Sequence, residues 1–136
     1  MPLTKPTIAI AITLFLSIPA MFAAVPAMAA TTYTFVPVAP ISDRTFFYGG
    51  STMPVKFQLL DSAGNIVSTA TATIWVNSQP GTTNGGANDA NNFRFDSSSG
   101  LYIYNLSTKN LPVPGPNTIT IMVSDGTSHS FVVTFH

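Results

Sequence analysis

The stretch from Gly49 to Asp61, which reads GGSTMPVKFQLLD, decides the fold class of this chain. Two glycines and a proline precede Val55, Phe57 and Leu59, which occupy alternate positions. Alternation of apolar and polar side chains at period two is typical of a β-strand with one buried face. We therefore predict a strand here that directs these three side chains into a core, with Lys56 facing outward.

The rest of the chain repeats this pattern of short alternating runs and polar turns. Ser124–Thr127 places Asp-Gly between two alternating runs, which is the strongest hairpin signal in the sequence. Residues 78–92 are almost devoid of large apolar side chains and are predicted to form an exposed, mobile loop. No helical period follows residue 30. About seven or eight short strands, with a turn about every ten residues, predict an all-β, immunoglobulin-like β-sandwich of antiparallel strands.

Residues 1–30 have the layout of a secretory signal peptide. Lys5 supplies a positive n-region, residues 8–16 an apolar h-region, and residues 27–29 a small-x-small cleavage signal. The alternative is an uncleaved N-terminal membrane anchor, but the apolar window is short for a membrane span and contains Pro19. We therefore divide the chain into a signal peptide at 1–30, an N-terminal arm or edge strand at 31–45 and an immunoglobulin-like domain at 46–136.

The composition excludes several classes of function. Only 7% of the residues are charged, there is no Glu, and the formal net charge is +0. Such a balance provides no basic surface for nucleic acid and no polybasic patch for a membrane, so neither is expected as a partner once the leader is removed. The chain has no Cys, which excludes disulfides, thiolate metal sites and cysteine nucleophiles.

Several short motifs follow one another in a fixed order between residues 46 and 136. The first is Pro54-Val55-Lys56-Phe57, and the later ones comprise Asp96, Gly100, Tyr102, Tyr104, Thr108, Lys109, Asp125, Gly126, Thr127 and His129. Their order and spacing resemble the PxKF domain, an immunoglobulin-like module of secreted and cell-surface proteins. The chain departs from many members in lacking a cysteine pair and in having Leu106 where a Trp is frequent. The resemblance implies a structural role for these residues and no assigned reaction.

Four apolar residues are predicted to point outward from the sheets. Strand alternation places Trp75, Ile103, Met122 and Val132 on outer faces. Several exposed apolar residues on one sheet would form a contact patch. We therefore predict a docking surface for a protein or a glycan centred on Trp75. The alternatives are that Trp75 is covered by the 78–92 loop or the N-terminal arm, or that the strand is shifted by one residue.

Residues that could support catalysis or metal binding are few. A small secreted hydrolase would need a pocket that joins His129 to an Asp, and the sequence contains no Gly-x-Ser-x-Gly motif. A Ca²⁺-binding accessory domain would have to use Asp61 with Asn65, or Asp89, none of which follows an EF-hand pattern. Asp side chains in turns commonly accept hydrogen bonds from nearby backbone amides, which explains these residues without a ligand. We therefore predict that the chain is not an enzyme and binds no metal and no cofactor.

The sequence therefore predicts a secreted or cell-surface β-sandwich module with a non-catalytic binding, adhesion or structural role. A hydrolase and a Ca²⁺-binding accessory domain are the alternatives. A protein or a glycan at the cell surface is the expected class of partner. Asn105-Leu106-Ser107 is an N-glycosylation sequon at the end of a predicted strand, relevant where the host modifies exported proteins.

Overall fold

The computed structural model describes residues 2–4, 19, 23–26 and 29–136. The apolar run of the predicted leader and most of its cleavage signal lie outside these residues. Within them the chain forms only strands, and no helix is long and apolar enough to cross a membrane. The strands are β1 (Thr34–Val38), β2 (Phe46–Phe47), β3 (Thr52–Leu60), β4 (Ala72–Val76), β5 (Gln79–Pro80), β6 (Arg94–Asp96), β7 (Leu101–Ser107), β8 (Gly115–Val123) and β9 (Ser128–Phe135).

The strands form two sheets. One has four strands in the order β1-β3-β7-β6, and the other has five in the order β2-β9-β8-β4-β5. The expectation of seven or eight antiparallel strands is corrected on two points. The described chain has nine strands, because β5 lies in the predicted loop and, at two residues, is too short to show alternation. In addition, β2 pairs with β9 in parallel, whereas the other strand pairs are antiparallel.

Strand β3 confirms the interpretation of the stretch from Gly49 to Asp61. Burial alternates along it, with Val55, Phe57 and Leu59 fully buried. Lys56 lies on the opposite face, opposite Val38 of β1 and Ile103 of β7. The alternation arises because successive side chains of a strand point to opposite faces of the sheet.

The inward faces of both sheets form one core, in a sandwich-like arrangement. The Phe57 ring lies at its centre, with ring centroids 4.7 Å from Phe35, 5.1 Å from Tyr102 and 4.9 Å from Phe93. Offset-stacked and edge-to-face pairs such as these add to the free energy gained from burying the rings. The Phe of the Pro-x-Lys-Phe motif is therefore a core residue of the fold.

Strand β1 lies within residues 31–45, for which an N-terminal arm or an edge strand was predicted, and it forms one edge of the four-stranded sheet. It pairs along its whole length with β3, from Thr34 opposite Leu60 to Val38 opposite Lys56. The strand is also tied to the other sheet, because the Tyr33 amide donates a hydrogen bond of 2.8 Å to Asp125 in the β8–β9 turn. These contacts join the N-terminal segment to both sheets.

The loop at residues 78–92 differs from the prediction, because it is bonded to the protein along much of its length. The Ile74 amide of β4 donates to the Asn91 carbonyl at 2.9 Å, and the Gly81 amide donates to the Ile74 carbonyl at 3.0 Å. Asn88 is only 9% exposed. The loop therefore covers the open edge of β4, where free backbone groups would otherwise invite pairing with another chain. Sequence reasoning missed this because backbone and amide groups, rather than apolar side chains, hold the loop.

Candidate functional site

The outer face of the five-stranded sheet is the surface that the sequence singled out. Register places Trp75 of β4, Thr120 of β8 and Ser130 of β9 side by side in one row across three strands. The row next to it on one side contains Met122 opposite Thr73. The row next to it on the other side contains Val132 opposite Thr118. Trp75, Met122 and Val132 thus share one face, as predicted.

This face is uncharged and rich in hydroxyl groups. The outward positions of β4, β8 and β9 are Thr73, Trp75, Pro116, Thr118, Thr120, Met122, Ser128, Ser130, Val132 and Thr134. None of these residues is acidic or basic. Met122 is 49% exposed and Val132 is 59% exposed. The face therefore exposes apolar side chains that are surrounded by Thr and Ser hydroxyl groups.

Trp75 is half-buried rather than fully exposed. Its indole N–H donates to the Thr73 hydroxyl at 3.2 Å, so its polar group is satisfied within its own strand. Pro80 of β5 lies beside it in the sheet. The first residues of the 78–92 loop therefore flank Trp75, and the more exposed apolar groups of this face are Met122 and Val132.

Ile103 does not belong to this surface. It lies on β7 in the four-stranded sheet, opposite Lys56 on one side and Arg94 on the other, and it is half-buried. The four residues predicted to lie on outer faces therefore do not all share one sheet, and Ile103 cannot contribute to a patch around Trp75. Alternation correctly placed its side chain on an outer face, but strand order assigns that face to the other sheet.

The motif residues Tyr102, Tyr104, Asp125, Gly126 and His129 have structural contacts. The two tyrosines are buried, and burial raises the pKa of each phenol. Tyr102 donates to the Val67 carbonyl at 2.9 Å. Gly126 has a φ of 88° in the β8–β9 turn, a backbone conformation that glycine adopts without steric cost.

His129 has a stacked ring and a partner within its own hairpin. Its ring centroid lies 4.0 Å from that of Phe35, and its Nε2 lies 3.2 Å from the Thr127 hydroxyl. That hydroxyl donates to Asp125 at 2.6 Å. Although burial opposes it, hydrogen bonds from Thr127 and the Tyr33 amide hold the pKa of Asp125 below its ordinary range. The Asp, Thr and His therefore form a chain of hydrogen bonds that braces the hairpin.

The predicted Ca²⁺ ligands also serve in turns. Asp61 accepts hydrogen bonds of 2.9 Å from the amides of Ala63 and Asn65, and the Asn65 side chain donates to its other oxygen at 3.2 Å. The backbone bond from Asn65 is the largest of the effects that lower the pKa of Asp61. In the part of the chain that the structure describes, no three His, Cys, Asp or Glu side chains form a group that could hold a metal ion.

A cavity of about 700 Å³ opens at one end of the two sheets, between the segment around β2 and the start of β3. Aromatic rings from Phe46, Phe47, Tyr48 and His136 line it, together with the Arg44 guanidinium. Tyr48 is 84% exposed and Phe46 is 61% exposed. Pockets of this volume with an apolar lining and a few polar groups are typical of ligand sites. His129 is not among the lining residues.

Sequence reasoning missed this cavity for a topological reason. Arg44, Phe46 and Tyr48 stand next to one another in the chain, but His136 reaches them only because β2 pairs in parallel with β9. The run Phe46-Phe47-Tyr48 was visible as an apolar segment. Its high exposure, which is the informative property, depends on the tertiary structure.

No family model and no curated protein matches the chain. Among solved structures, the chain is similar to the ZirS C-terminal domain, with a TM-score of 0.55. The likeness covers 100% of this chain and 86% of that domain, at 13% sequence identity. At this identity the similarity supports the all-β, two-sheet fold and nothing about activity.

Proposed function

We propose that this protein is an exported, immunoglobulin-like module with a non-catalytic role in binding and adhesion, and that it docks through the outer face of its five-stranded sheet. The partner that the chemistry favours is a second copy of the same chain. The observation on which this rests is the uncharged outer face with Met122 and Val132 exposed.

The strand order supports the immunoglobulin-like assignment. In immunoglobulin domains one sheet has the order A-B-E-D and the other contains the order G-F-C. When the two-residue strands β2 and β5 are left out and the other seven strands are lettered A to G along the chain, the four-stranded sheet β1-β3-β7-β6 reads A-B-E-D and the run β9-β8-β4 reads G-F-C. Strand β2 then pairs beside the G position. The PxKF-like motif residues Phe57, Tyr102 and Tyr104 would provide its core packing.

The chemistry of the outer face favours a homotypic contact. A charged group that is buried without a partner costs several kcal/mol, whereas two uncharged faces that meet leave no charge unpaired. Hydroxyl groups can both donate and accept, so Thr and Ser rows can bond to identical rows. One such pair already forms within the sheet, because the Thr120 and Ser130 hydroxyls lie 2.9 Å apart. Residues 31–136 contain four Lys or Arg against five Asp, so long-range repulsion between copies of the exported chain is weak.

The size of the face indicates how strong the contact would be. β8 and β9 have 9 and 8 residues, whereas β4 has 5 and β2 and β5 have 2 each. At about 3.4 Å of rise per residue and about 4.8 Å between strands, the face covers roughly 400 Å². A standard interface buries about 800 Å² on each partner. We therefore expect a weak contact that becomes effective when many copies are displayed together, as on a cell surface.

Bead aggregation tests this function, because beads display many copies of a protein. Beads coated with the purified protein are expected to cluster, and beads coated with a Met122→Lys, Val132→Lys double variant are expected to remain dispersed. The control is a Thr34→Lys, Gln58→Lys double variant, which adds the same charge to the outer face of the other sheet. Thermal unfolding should show that all three proteins are folded.

Two outcomes would contradict the proposal. Wild-type beads that never cluster at any coating density would exclude homotypic adhesion. Equal clustering by wild type and the Met122, Val132 double variant would exclude this face as the docking surface. If beads coated with the control variant also remain dispersed, the added charge explains the loss of clustering, and the outer face of the five-stranded sheet does not.

A further inference from the structure

We propose that the cavity between β2 and β3 binds a sugar ring that carries a carboxylate, such as a hexuronic acid or a sialic acid unit of a glycan. This site lies at the β2 edge of the five-stranded sheet, where Phe46 pairs with Thr134, and binding of a sugar there does not depend on homotypic docking. Its ligand chemistry follows from three properties of the lining.

The first property is the exposure of aromatic rings. Phe46 and Tyr48 are 61% and 84% exposed, although large apolar side chains that have no partner are normally buried. The Phe46 ring stacks on the His136 ring at a centroid distance of 5.5 Å and an interplanar angle of 21°. Ring faces of this kind are suited to packing against the C–H face of a pyranose, because the aromatic face is electron-rich and the sugar C–H groups are weakly positive.

The second property is a single cation. Among the described residues that line the cavity, Arg44 has the one formally charged side chain, and its guanidinium carbon lies 5.9 Å from the Phe47 ring centroid. The neighbouring Asp43 is not part of the lining and accepts a hydrogen bond from Ser42. A guanidinium presents a planar fork of donors that matches a carboxylate, and this pairing is stronger than a neutral hydrogen bond.

The third property is a backbone frame that fixes these groups. The His136 amide donates to the Phe47 carbonyl at 3.0 Å, and the Gly49 amide donates to the His136 carbonyl at 3.0 Å. On the β3 side, the Ser51 amide donates to the Thr108 hydroxyl at 3.0 Å, and that hydroxyl donates to the Ser51 carbonyl at 2.7 Å. The backbone of such a site loses little conformational entropy when a ligand binds.

The charge of the cavity selects among ligand classes. Polyanions such as nucleic acids or heavily sulfated glycans need several cations to release counterions, and one guanidinium does not provide them. A neutral sugar or a proline-rich peptide could use the rings but would leave Arg44 without a partner. A ring that bears one carboxylate uses both the aromatic faces and the cation, and a cavity of about 700 Å³ has room for it.

Isothermal titration calorimetry and ligand-observed NMR test this site on the purified protein. The probes are a galacturonic acid trisaccharide, sialyllactose, the methyl-esterified galacturonic acid trisaccharide and maltotriose. We expect at least one of the two acidic sugars to bind, and the one that binds identifies the source of the carboxylate. The esterified and neutral sugars are expected to bind about tenfold more weakly or not at all, because they lack the charge-assisted hydrogen bond.

Two variants locate the binding. Arg44→Gln should weaken binding of the acidic sugar about tenfold, and Tyr48→Ala should weaken binding of every sugar that binds. Arg94→Gln is the matched control. It removes an exposed arginine from β6, an edge strand of the four-stranded sheet, and Arg94 is not among the residues that line the cavity, so affinity should be unchanged.

Several results would overturn the assignment. These are no binding of either acidic sugar, equal binding of the esterified sugar, equal binding of maltotriose, or unchanged affinity in Arg44→Gln. Bead clustering in the absence of sugar is measured separately, so failure of this site and failure of homotypic docking can be distinguished.

Discussion

The phenol oxygen of Tyr104 lies 2.7 Å from the carbonyl oxygen of Ala90. It also lies 3.0 Å from the carbonyl oxygen of Gly81, so one core side chain contacts both ends of the loop that covers the edge of β4. Tyr104 is fully buried, and burial raises the pKa of its phenol. Tyr104, one of the motif residues, therefore has a structural role, because it holds this loop against the core.

Tyr104→Phe is expected to reduce the free energy of unfolding by about 1–3 kcal/mol, because it removes the O–H donor and leaves the carbonyl of the buried Gly81 without it. Urea denaturation measures this change, and limited proteolysis should show faster cleavage within residues 78–92. Tyr48→Phe is the control, since Tyr48 is 84% exposed and should show little change. An unchanged urea midpoint together with unchanged cleavage of the loop would mean that other contacts hold it.

Asn88→Ala is expected to destabilise the same loop from its middle. The Asn88 amide donates to the carbonyls of Ile103 and Asn92 at 2.9 and 3.2 Å, and its oxygen accepts from the Asn105 amide at 3.0 Å. Loss of these bonds at a site that is 9% exposed should cost about 1–3 kcal/mol, measured by urea denaturation. Asn84→Ala removes a single hydrogen bond to Thr52 that is more exposed to solvent, so it should reduce the free energy of unfolding by less. Equal losses in the two variants would contradict a special role for Asn88.

Asp125→Asn is expected to change the pH dependence of stability. Asp125 has a pKa below its ordinary range in the folded protein, so it contributes stability that is present above about pH 4 and is lost as the pH falls through the folded pKa. The measurement is the free energy of unfolding at pH 7 and at pH 3 in wild type and variant. The variant should lose less stability on acidification, because its amide does not titrate.

The acid response of the variant should be reduced rather than abolished. Asp61 and Asp96 also have lowered pKa values, held by hydrogen bonds from Asn65 and from the Ser99 and Ser98 side chains, and both remain in the variant. An acid loss equal to that of wild type would show that the bonds from Tyr33 and Thr127 to Asp125 contribute nothing to the pH dependence.

The local features of the fold were predictable from the sequence because they depend on neighbouring residues. Alternation along β3 identified its buried face, and the Asp-Gly pair identified the β8–β9 turn, where the Gly126 amide donates to the Val123 carbonyl at 3.0 Å. The outward orientation of Trp75, Met122 and Val132 was correct for the same reason, since successive residues of a strand point to opposite faces.

Features that join distant parts of the chain were not predictable in this way. The 78–92 loop is held by backbone and amide hydrogen bonds, and such groups occur in every residue, so composition gave no sign of the contacts. The parallel pairing of β2 with β9 brings Phe46 and Phe47 beside Thr134 and Phe135, which creates the cavity wall. β2 is only two residues long, and its sequence carries no signal for its partner.

The sequence by itself determined which side of each strand faces the core, because that property repeats every two residues and is written locally. Only the tertiary structure decided which strands share a sheet, because strand order depends on contacts between distant residues. Ile103 and Met122 illustrate the difference. Both were correctly predicted to point outward, yet the strand order puts Ile103 between two basic residues on one sheet and Met122 on the uncharged face of the other.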